Sequence, residues 1–100
     1  MNLDTVSTPS LVLDVERVRR NAAFMSERAM RFGVRLRPHV KTHKCIEVAR
    51  IQTAGHNGAI TVSTLAEARA FAASGFTDIT YAVPIERGKF AAAFALMHDG

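Results

Sequence analysis

The sequence predicts an α/β fold built on a parallel sheet. From residue 34 onward, short apolar or β-branched stretches alternate with longer stretches of helical periodicity, in the order strand, helix, strand, helix, strand, helix. The three strand patterns begin near residues 34, 58 and 78, and a glycine closes each helical pattern. Alternating units of this size are typical of a parallel sheet with helices packed against it.

Two further elements precede this repeat. Residues 10–14 (SLVLD) follow a Thr-Pro turn signal and predict a strand. Residues 15–32 predict an amphipathic helix that stops at Gly33, because apolar side chains recur there at spacings of three and four. These side chains are Val15, Val18, Ala22, Met25, Ala29 and Phe32.

The three repeated units have definite boundaries in the sequence. Strands are predicted at residues 34–40 (VRLRPHV), 58–63 (GAITVS) and 78–84 (DITYAVP), and helices at residues 45–55, 65–75 and 87–100. Thr64 and Glu67 have the T-x-x-E spacing of a capping box, which marks where the second of these helices begins. A closed barrel takes eight units in about 250 residues, so we expect this chain to form part of a larger domain.

Composition restricts the class of protein. The 100 residues are 48% hydrophobic and 22% charged, as in an ordinary globular domain. No apolar run approaches the roughly 20 residues that span a bilayer. With one cysteine, Cys45, and no secretory pattern at the start of the sequence, we expect a cytoplasmic location. The net charge of +4 is spread along the chain, so neither a nucleic acid nor a membrane is expected as a partner.

A cationic cluster occupies the first strand of the repeat and the residues after it. Residues 34–44 (VRLRPHVKTHK) contain two arginines, two histidines and two lysines. Strand alternation places one set of side chains on a single face, namely Arg35, Arg37, His39 and Lys41. Because cations removed from water need anionic partners, this face predicts nearby carboxylates or an anionic ligand.

Within the cluster, Lys41 lies at the carboxyl end of the strand, where parallel sheets bind ligands. Neighbouring cations and partial desolvation would both disfavour its ammonium form. A neutral amine can attack a carbonyl and form a Schiff base, which points to a cofactor with an aldehyde and a phosphate. His39 shares the face of Lys41, and Tyr81 lies near the end of the third strand, so both are predicted to bind the cofactor; packing in the core is the alternative for each.

Three other interpretations of the cluster stay open on residue chemistry alone. The cations could bind nucleic-acid phosphates, although the cluster lacks the exposed aromatic side chains that stack on single-stranded bases. His39, His43 and Cys45 are residue types that bind zinc, but they straddle a strand end. The third interpretation is purely structural, with the histidines in the core and the lysines in solvent.

Several stretches resemble the D-threonine aldolase and D-serine dehydratase family: TPSLVLD, LRPHVKTHK and GAITVSTLAEARAFAASGFTDITYAVP, from about residue 8 to residue 84. Members of that family are fold-type III pyridoxal-phosphate enzymes whose N-terminal domain is similar to that of alanine racemase, a (β/α)8 barrel. The resemblance implies that this chain is the N-terminal part of such a barrel, with about three βα units after a strand and a helix. Residues 1–14 would then contribute a strand to a separate β-domain, and residues 15–100 a partial barrel domain.

The resemblance also implies an activity. The lysine of P-H-x-K, here Lys41, would carry pyridoxal phosphate, and the whole protein would be a lyase acting on D-β-hydroxy amino acids, of dehydratase or aldolase type. The segments STLAEA and DITYAVP favour the dehydratase, and racemase activity is an alternative. A divalent metal, Zn²⁺ or Mn²⁺, would bind to residues outside this chain. The chain itself would form a homodimer or self-associate; the alternative is a non-catalytic fragment or a module that binds phosphate or another small molecule.

Overall fold

The structure, a computed structural model, describes residues 1–99, and from residue 15 onward its four helices and the last two predicted strands follow the predicted order. The helices are α1 (Val15–Arg31), α2 (Ile46–Thr53), α3 (Leu65–Ala73) and α4 (Phe90–Asp99), and the strands are β1 (Ile60–Val62) and β2 (Ile79–Tyr81). Short 3-10 helices cover Leu3–Thr5 and Arg87–Lys89. Gly100, where the last helix was predicted to end, lies outside the described residues.

Helix α1 begins and ends where its sequence predicts. The Asp14 side chain caps the start by accepting a hydrogen bond of 3.0 Å from the backbone N–H of Arg17. At the other end, Gly33 adopts a φ of 64°, a left-handed conformation that a residue without a Cβ enters at little cost. Local sequence is therefore sufficient to limit α1 at both ends.

The buried face of α1 differs in part from the predicted one. Ala29 is buried as expected, whereas Met25 and Phe32 are 46% and 66% exposed. Ser26 is buried instead, against Gly55, where an added Cβ would lie 3.0 Å from the Ser26 Cβ. This small pair lets α1 lie close to the end of α2, while Met25 and Phe32 are not covered by the described residues.

Strands β1 and β2 pair in parallel, as predicted. Ile60 lies opposite Ile79, and Val62 lies opposite Tyr81. Strand β2 begins one residue later and ends three residues earlier than the strand predicted at residues 78–84. Paired residues lie on the same face of the sheet. The side chains of β2 that lie opposite the buried residues of β1 therefore point to the same side as those residues.

The predicted first strand, residues 34–40, is reduced to a single bridge between His39 and Thr61. Two backbone hydrogen bonds make that bridge: Val40 donates to the Thr61 carbonyl at 2.9 Å, and Thr61 donates to the Pro38 carbonyl at 2.8 Å. The next bond of a parallel ladder needs an N–H at position 38, and proline has none. Pro38 therefore limits the strand to its carboxyl end.

Residues 10–14, predicted as a strand, form none in the structure. Leu11, Val12 and Leu13 are all exposed. A strand is stable only when its backbone N–H and C=O groups pair with a neighbouring strand, and residues 1–99 supply no such neighbour here. Residues 10–14 therefore form no strand within residues 1–99, and the assignment of a strand in residues 1–14 to a separate β-domain stays a prediction.

The hydrophobic core lies between the sheet and the helices α2 and α3. Its buried members are Val40, Ala49, Ile60, Val62, Ala68, Phe71 and Phe76. Side chains alternate along a strand. The strand residues next to Val40, Ile60 and Val62 therefore project from the other side of the sheet. We call that side the open face; it carries His39, Thr61 and Thr80, of which Thr80 is exposed and the other two are half-buried.

Helix α4 is apolar yet contributes no buried residue. Phe90, Phe94 and Met97 are 42%, 57% and 74% exposed. Of the described residues of α4, Leu96 alone is partly buried against the core cluster. Within residues 1–99, no helix has the combined length and apolarity that crossing a membrane requires.

Candidate active site

The structure divides the cationic cluster of residues 34–44 between the two ends of the sheet. Arg35 and Arg37 lie at the amino end, beside Asp78, which directly precedes β2. Lys41 and Lys44 lie beyond the carboxyl end, after the last backbone bond to β1. The chain can hold this many cations in eleven residues because they do not share one environment.

At the amino end, the Asp78 carboxylate faces both arginines and balances one of their two positive charges. Arg37 Nη1 lies 2.5 Å from Asp78 Oδ1 and also donates to the Asp78 carbonyl at 3.3 Å, while Arg35 Nη2 lies 3.7 Å from Asp78 Oδ2. The Arg37 hydrogen bond holds the pKa of the Asp78 carboxyl below its usual value, and the same bond raises the pKa of the Arg37 guanidinium. A carboxylate within this chain thus pairs with the two arginines of the cluster.

At the carboxyl end, Lys41 stands directly beyond the His39–Thr61 bridge. Its side chain is exposed, and none of the ion pairs within residues 1–99 includes it. Residues 1–99 therefore do not provide the partial desolvation of Lys41 that the sequence predicts. The backbone N–H of Lys41 donates to His39 Nδ1 at 3.3 Å, which joins the two predicted site residues.

The residues after Lys41 form a closed turn. The Lys44 N–H donates to the Val40 carbonyl at 2.9 Å, so one hydrogen bond spans the segment that contains Lys41. Lys44 itself has a φ of 51°, in the left-handed region that favours glycine. Its ammonium reaches back over the sheet, where Nζ lies 3.6 Å from Glu67 Oε1.

Both ring nitrogens of His43 are engaged inside this part of the chain. Nδ1 accepts a hydrogen bond of 3.0 Å from the Cys45 N–H, so Nε2 carries the ring proton and donates to Gln52 Oε1 at 2.8 Å. This arrangement leaves no lone pair for a metal, which argues against the zinc interpretation of His39, His43 and Cys45. No cluster of three or more His, Cys, Asp or Glu side chains within residues 1–99 is arranged to hold a metal ion.

Glu67 is a buried carboxylate with several donors. It is 7% exposed, and Oε2 accepts from the Ser63 N–H at 2.7 Å and from the Thr64 N–H at 3.2 Å. In return, the Glu67 N–H donates to the Thr64 hydroxyl at 3.0 Å, so the predicted capping box is confirmed. Burial raises the pKa of Glu67, but the hydrogen bonds from Ser63 and Thr64 and the charge of Lys44 outweigh it, and the pKa lies below its usual value.

Tyr81 does not join Lys41 and His39. It is half-buried and packs against the hydrophobic core on the helix side of the sheet. His39 is bridged to Thr61 on the open face, which Thr80, the neighbour of Tyr81, also shares. The structure thus brings Lys41 and His39 together and places Tyr81 across the sheet from them, a position that does not support its predicted contact with the cofactor.

Sequence reasoning missed two groups beside the site. Thr61 and Thr80 belong to the open face, and strand alternation counted from the buried Ile60 and Val62 would have found them. The contact between Lys44 and Glu67 has no such signal, because their separation in the sequence follows no local pattern. It depends on how the turn after residue 40 is closed.

Sequence comparison identifies the family and two enzymes that are similar to this chain. The family model described as "Alanine racemase, N-terminal domain" matches residues 13–97. The chain is 48% identical over 96 residues to D-threo-3-hydroxyaspartate dehydratase of Delftia sp. (strain HT23), covering 96% of this chain and 25% of the relative. It is 38% identical over 100 residues to D-serine dehydratase of Dictyostelium discoideum, covering 95% of this chain and 25% of the relative.

Solved structures give the same result. D-threo-3-hydroxyaspartate dehydratase from Delftia sp. HT23 matches with a TM-score of 0.91 at 48% identity, over 96% of this chain and 25% of that one. A variant of that enzyme is known in a metal-free form. D-threonine aldolase from Filomicrobium marinum matches with a TM-score of 0.83 at 34% identity, over 94% of this chain and 26% of that one.

The comparisons confirm the predicted fold class and the predicted resemblance. The chain spans about a quarter of the length of the curated relatives it matches. Its α/β units superpose on the corresponding part of enzymes that share the fold. Since the family model covers residues 13–97 of the 100, this chain belongs to the alanine racemase N-terminal domain family.

Proposed function

We propose that this chain is the cofactor-lysine part of a pyridoxal-phosphate-dependent lyase that acts on D-β-hydroxy amino acids. The observation that carries the proposal is the position of Lys41, an exposed amine directly after the backbone bond from Val40 to Thr61, within the sequence P-H-V-K. Support for the substrate class comes from the relatives, which are named as dehydratases and an aldolase of D-hydroxy amino acids.

The residues present fit one part of pyridoxal phosphate, its aldehyde. The Lys41 amine is exposed and has no carboxylate partner within residues 1–99, so it is available for a covalent bond to a carbonyl. His39 lies two residues earlier on the open face, where its ring would contact the cofactor. When bound, the cofactor supplies an electron-withdrawing ring that stabilises negative charge at the substrate Cα. We expect the phosphate to bind to parts of the relatives that this chain does not span.

Lys41 would serve twice. Its Nζ would hold the cofactor, and the same amine, when not bound to the cofactor, would accept the proton from the substrate Cα, as a dehydration requires. His39 would orient this lysine, because His39 Nδ1 accepts the hydrogen bond from the Lys41 backbone N–H. In an aldol cleavage the Cα–Cβ bond breaks instead, and Lys41 is not needed to remove the Cα proton.

Dehydration is the reaction we favour. The dehydratase from Delftia matches at 48% identity over 96 residues, against 44% over 77 residues for D-threonine aldolase of Arthrobacter sp. and 34% for the aldolase from Filomicrobium. D-specific aldol cleavage is the second candidate, and racemisation is a third on the basis of the shared domain. A divalent metal, Zn²⁺ or Mn²⁺, held by residues outside this chain, would supply Lewis-acid polarisation of the β-hydroxyl.

The proposal includes a cytoplasmic location and self-association. The single cysteine, Cys45, is unpaired within the chain, as is usual for a reducing compartment. Within residues 1–99, the edge of β2 that faces away from β1 has no strand partner. Unpaired sheet edges and exposed apolar side chains both favour association with another copy.

The test is chemical trapping. The chain is mixed with pyridoxal phosphate and reduced with borohydride, and the modified residue is identified by mass spectrometry. The chain has three lysines, Lys41, Lys44 and Lys89, and we expect the adduct on Lys41 alone. Lys41→Arg keeps the charge but should abolish trapping, whereas the matched control Lys44→Arg should leave it unchanged. Equal labelling of all three lysines would refute the proposal.

A further inference from the structure

The turn that contains Lys41 and the junction between β1 and α3 meet at one carboxylate. Glu67 accepts from the backbone N–H groups of Ser63 and Thr64, which follow β1. The same carboxylate lies 3.6 Å from the ammonium of Lys44, which closes the turn after residue 40. Glu67 therefore contacts two loops that follow neighbouring strands at the carboxyl edge of the sheet.

The backbone of Lys44 gives an independent reason to examine this contact. A φ of 51° brings the Cβ of any residue other than glycine close to its own backbone, so lysine is disfavoured there. Such conformations persist where surrounding contacts hold them, and they cluster at functional sites. Here the contacts are the 2.9 Å hydrogen bond from Lys44 to the Val40 carbonyl and the approach of its side chain to Glu67.

We propose that Glu67 is a positioning residue for Lys41. Through Lys44 it holds the turn of residues 40–44 against the β1–α3 junction, and the Val40–Lys44 hydrogen bond transmits this restraint to the segment that contains Lys41. The inference rests on the proposed function in that it treats Lys41 as the cofactor lysine. Glu67 does not contact Lys41. Its effect is therefore to restrict the conformation of the turn, and it does not act on the reacting atoms directly.

The contact is expected to order the turn more than it stabilises the whole fold. The Lys44 side chain is 64% exposed, and exposed ion pairs contribute little to global stability. The restraint is local, because the Val40–Lys44 bond encloses only three intervening residues. A measurement at the turn itself is therefore needed.

Amide hydrogen exchange of the full chain without cofactor supplies that measurement. Lys44→Gly removes the ammonium and also relieves the disfavoured φ, so backbone strain and side-chain contact predict opposite results. We expect the protection of the Cys45 amide, which donates to His43 Nδ1, to fall by about two- to five-fold, as for loss of an exposed ion pair. Lys44→Arg should keep the Cys45 amide as protected as in the unaltered chain, since it keeps the charge. Unchanged or increased protection in Lys44→Gly would overturn the proposal.

A double-mutant cycle separates this contact from the helix cap. Glu67→Gln keeps an oxygen for the Ser63 and Thr64 amides but removes the charge that faces Lys44. Combined with Lys44→Gly, it should cause no further loss of protection at Cys45, because both substitutions remove one contact. Glu27→Gln, on the exposed side of α1, is the matched control. Additive losses would overturn the positioning role.

A missing Lys41 adduct in the unaltered chain would count against the proposed function alone, because exchange is measured without cofactor.

Discussion

Arg37 and Asp78 connect the first predicted strand to β2 across β1, through a contact of 2.5 Å between Arg37 Nη1 and Asp78 Oδ1. The two residues are 41 positions apart in the sequence. The Asp78 carbonyl also accepts the N–H of Ile60, so the same residue links β1 and the arginine. The amino end of the sheet is thus held by charge, while its carboxyl end leaves the Lys41 amine unpaired within residues 1–99.

The first prediction concerns the pH dependence of this ion pair. Arg37 lowers the pKa of Asp78 below its ordinary value of 3.8, so the pair stabilises the fold above that pH and the contribution is lost as the pH falls through the lower, folded-state pKa. Asp78→Asn should therefore lower the midpoint of urea unfolding at pH 7, and the difference from the unaltered chain should shrink near pH 3. Asp4→Asn, at an exposed position, is the control. An equal difference at both pH values would contradict this account.

The second prediction concerns the capping box of α3. Thr64→Ala removes the hydroxyl that accepts the Glu67 N–H at 3.0 Å, and loss of such a cap costs about 1 kcal/mol in the free energy of unfolding. Urea denaturation would measure this loss. Thr64→Ser keeps the hydroxyl and should retain most of the stability. If Thr64→Ser destabilised the chain as much as Thr64→Ala, the hydroxyl would not be the stabilising group.

The features that the sequence predicts well are those that depend on local contacts. The ends of α1, the capping box and the order of the βα units each follow from residues within a few positions of one another, such as Asp14 with Arg17 and Thr64 with Glu67. Lys41 and His39 were also correctly placed together, because they lie on one short extended segment. Their assignment to the cofactor stays a prediction.

The features that the sequence did not predict depend on partners distant in the chain. Residues 10–14 have strand-forming side chains but no neighbouring strand within residues 1–99. Tyr81 lies near a strand end, as expected, but the face it occupies is decided by its pairing with Val62 and by the helices that cover that side. Pro38 limits the length of the first strand, because its missing N–H removes the next hydrogen bond of the ladder.

The third prediction concerns the contact between α1 and α2. Gly55→Ala would place a Cβ 3.0 Å from the Cβ of Ser26, a buried side chain, and overpacking of this kind costs about 1–3 kcal/mol. The free energy of unfolding should fall accordingly in urea. Gly88→Ala is a matched control, because the nearest atom to its new Cβ is the flexible end of the Glu86 side chain at 3.4 Å. Equal effects of the two substitutions would show that the close helix approach is not the cause.

The fourth prediction concerns self-association through α4. Phe94 and Met97 are 57% and 74% exposed on a helix that buries no residue within the described part of the chain. Exposed apolar surface of this kind is favourably removed from water by another copy. Sedimentation velocity at increasing concentration should therefore detect species larger than a monomer, and Phe94→Glu should reduce them. His98→Glu introduces the same charge on the same helix, but at a polar position, and should have the smaller effect. A concentration-independent monomer, with or without Phe94→Glu, would contradict the prediction.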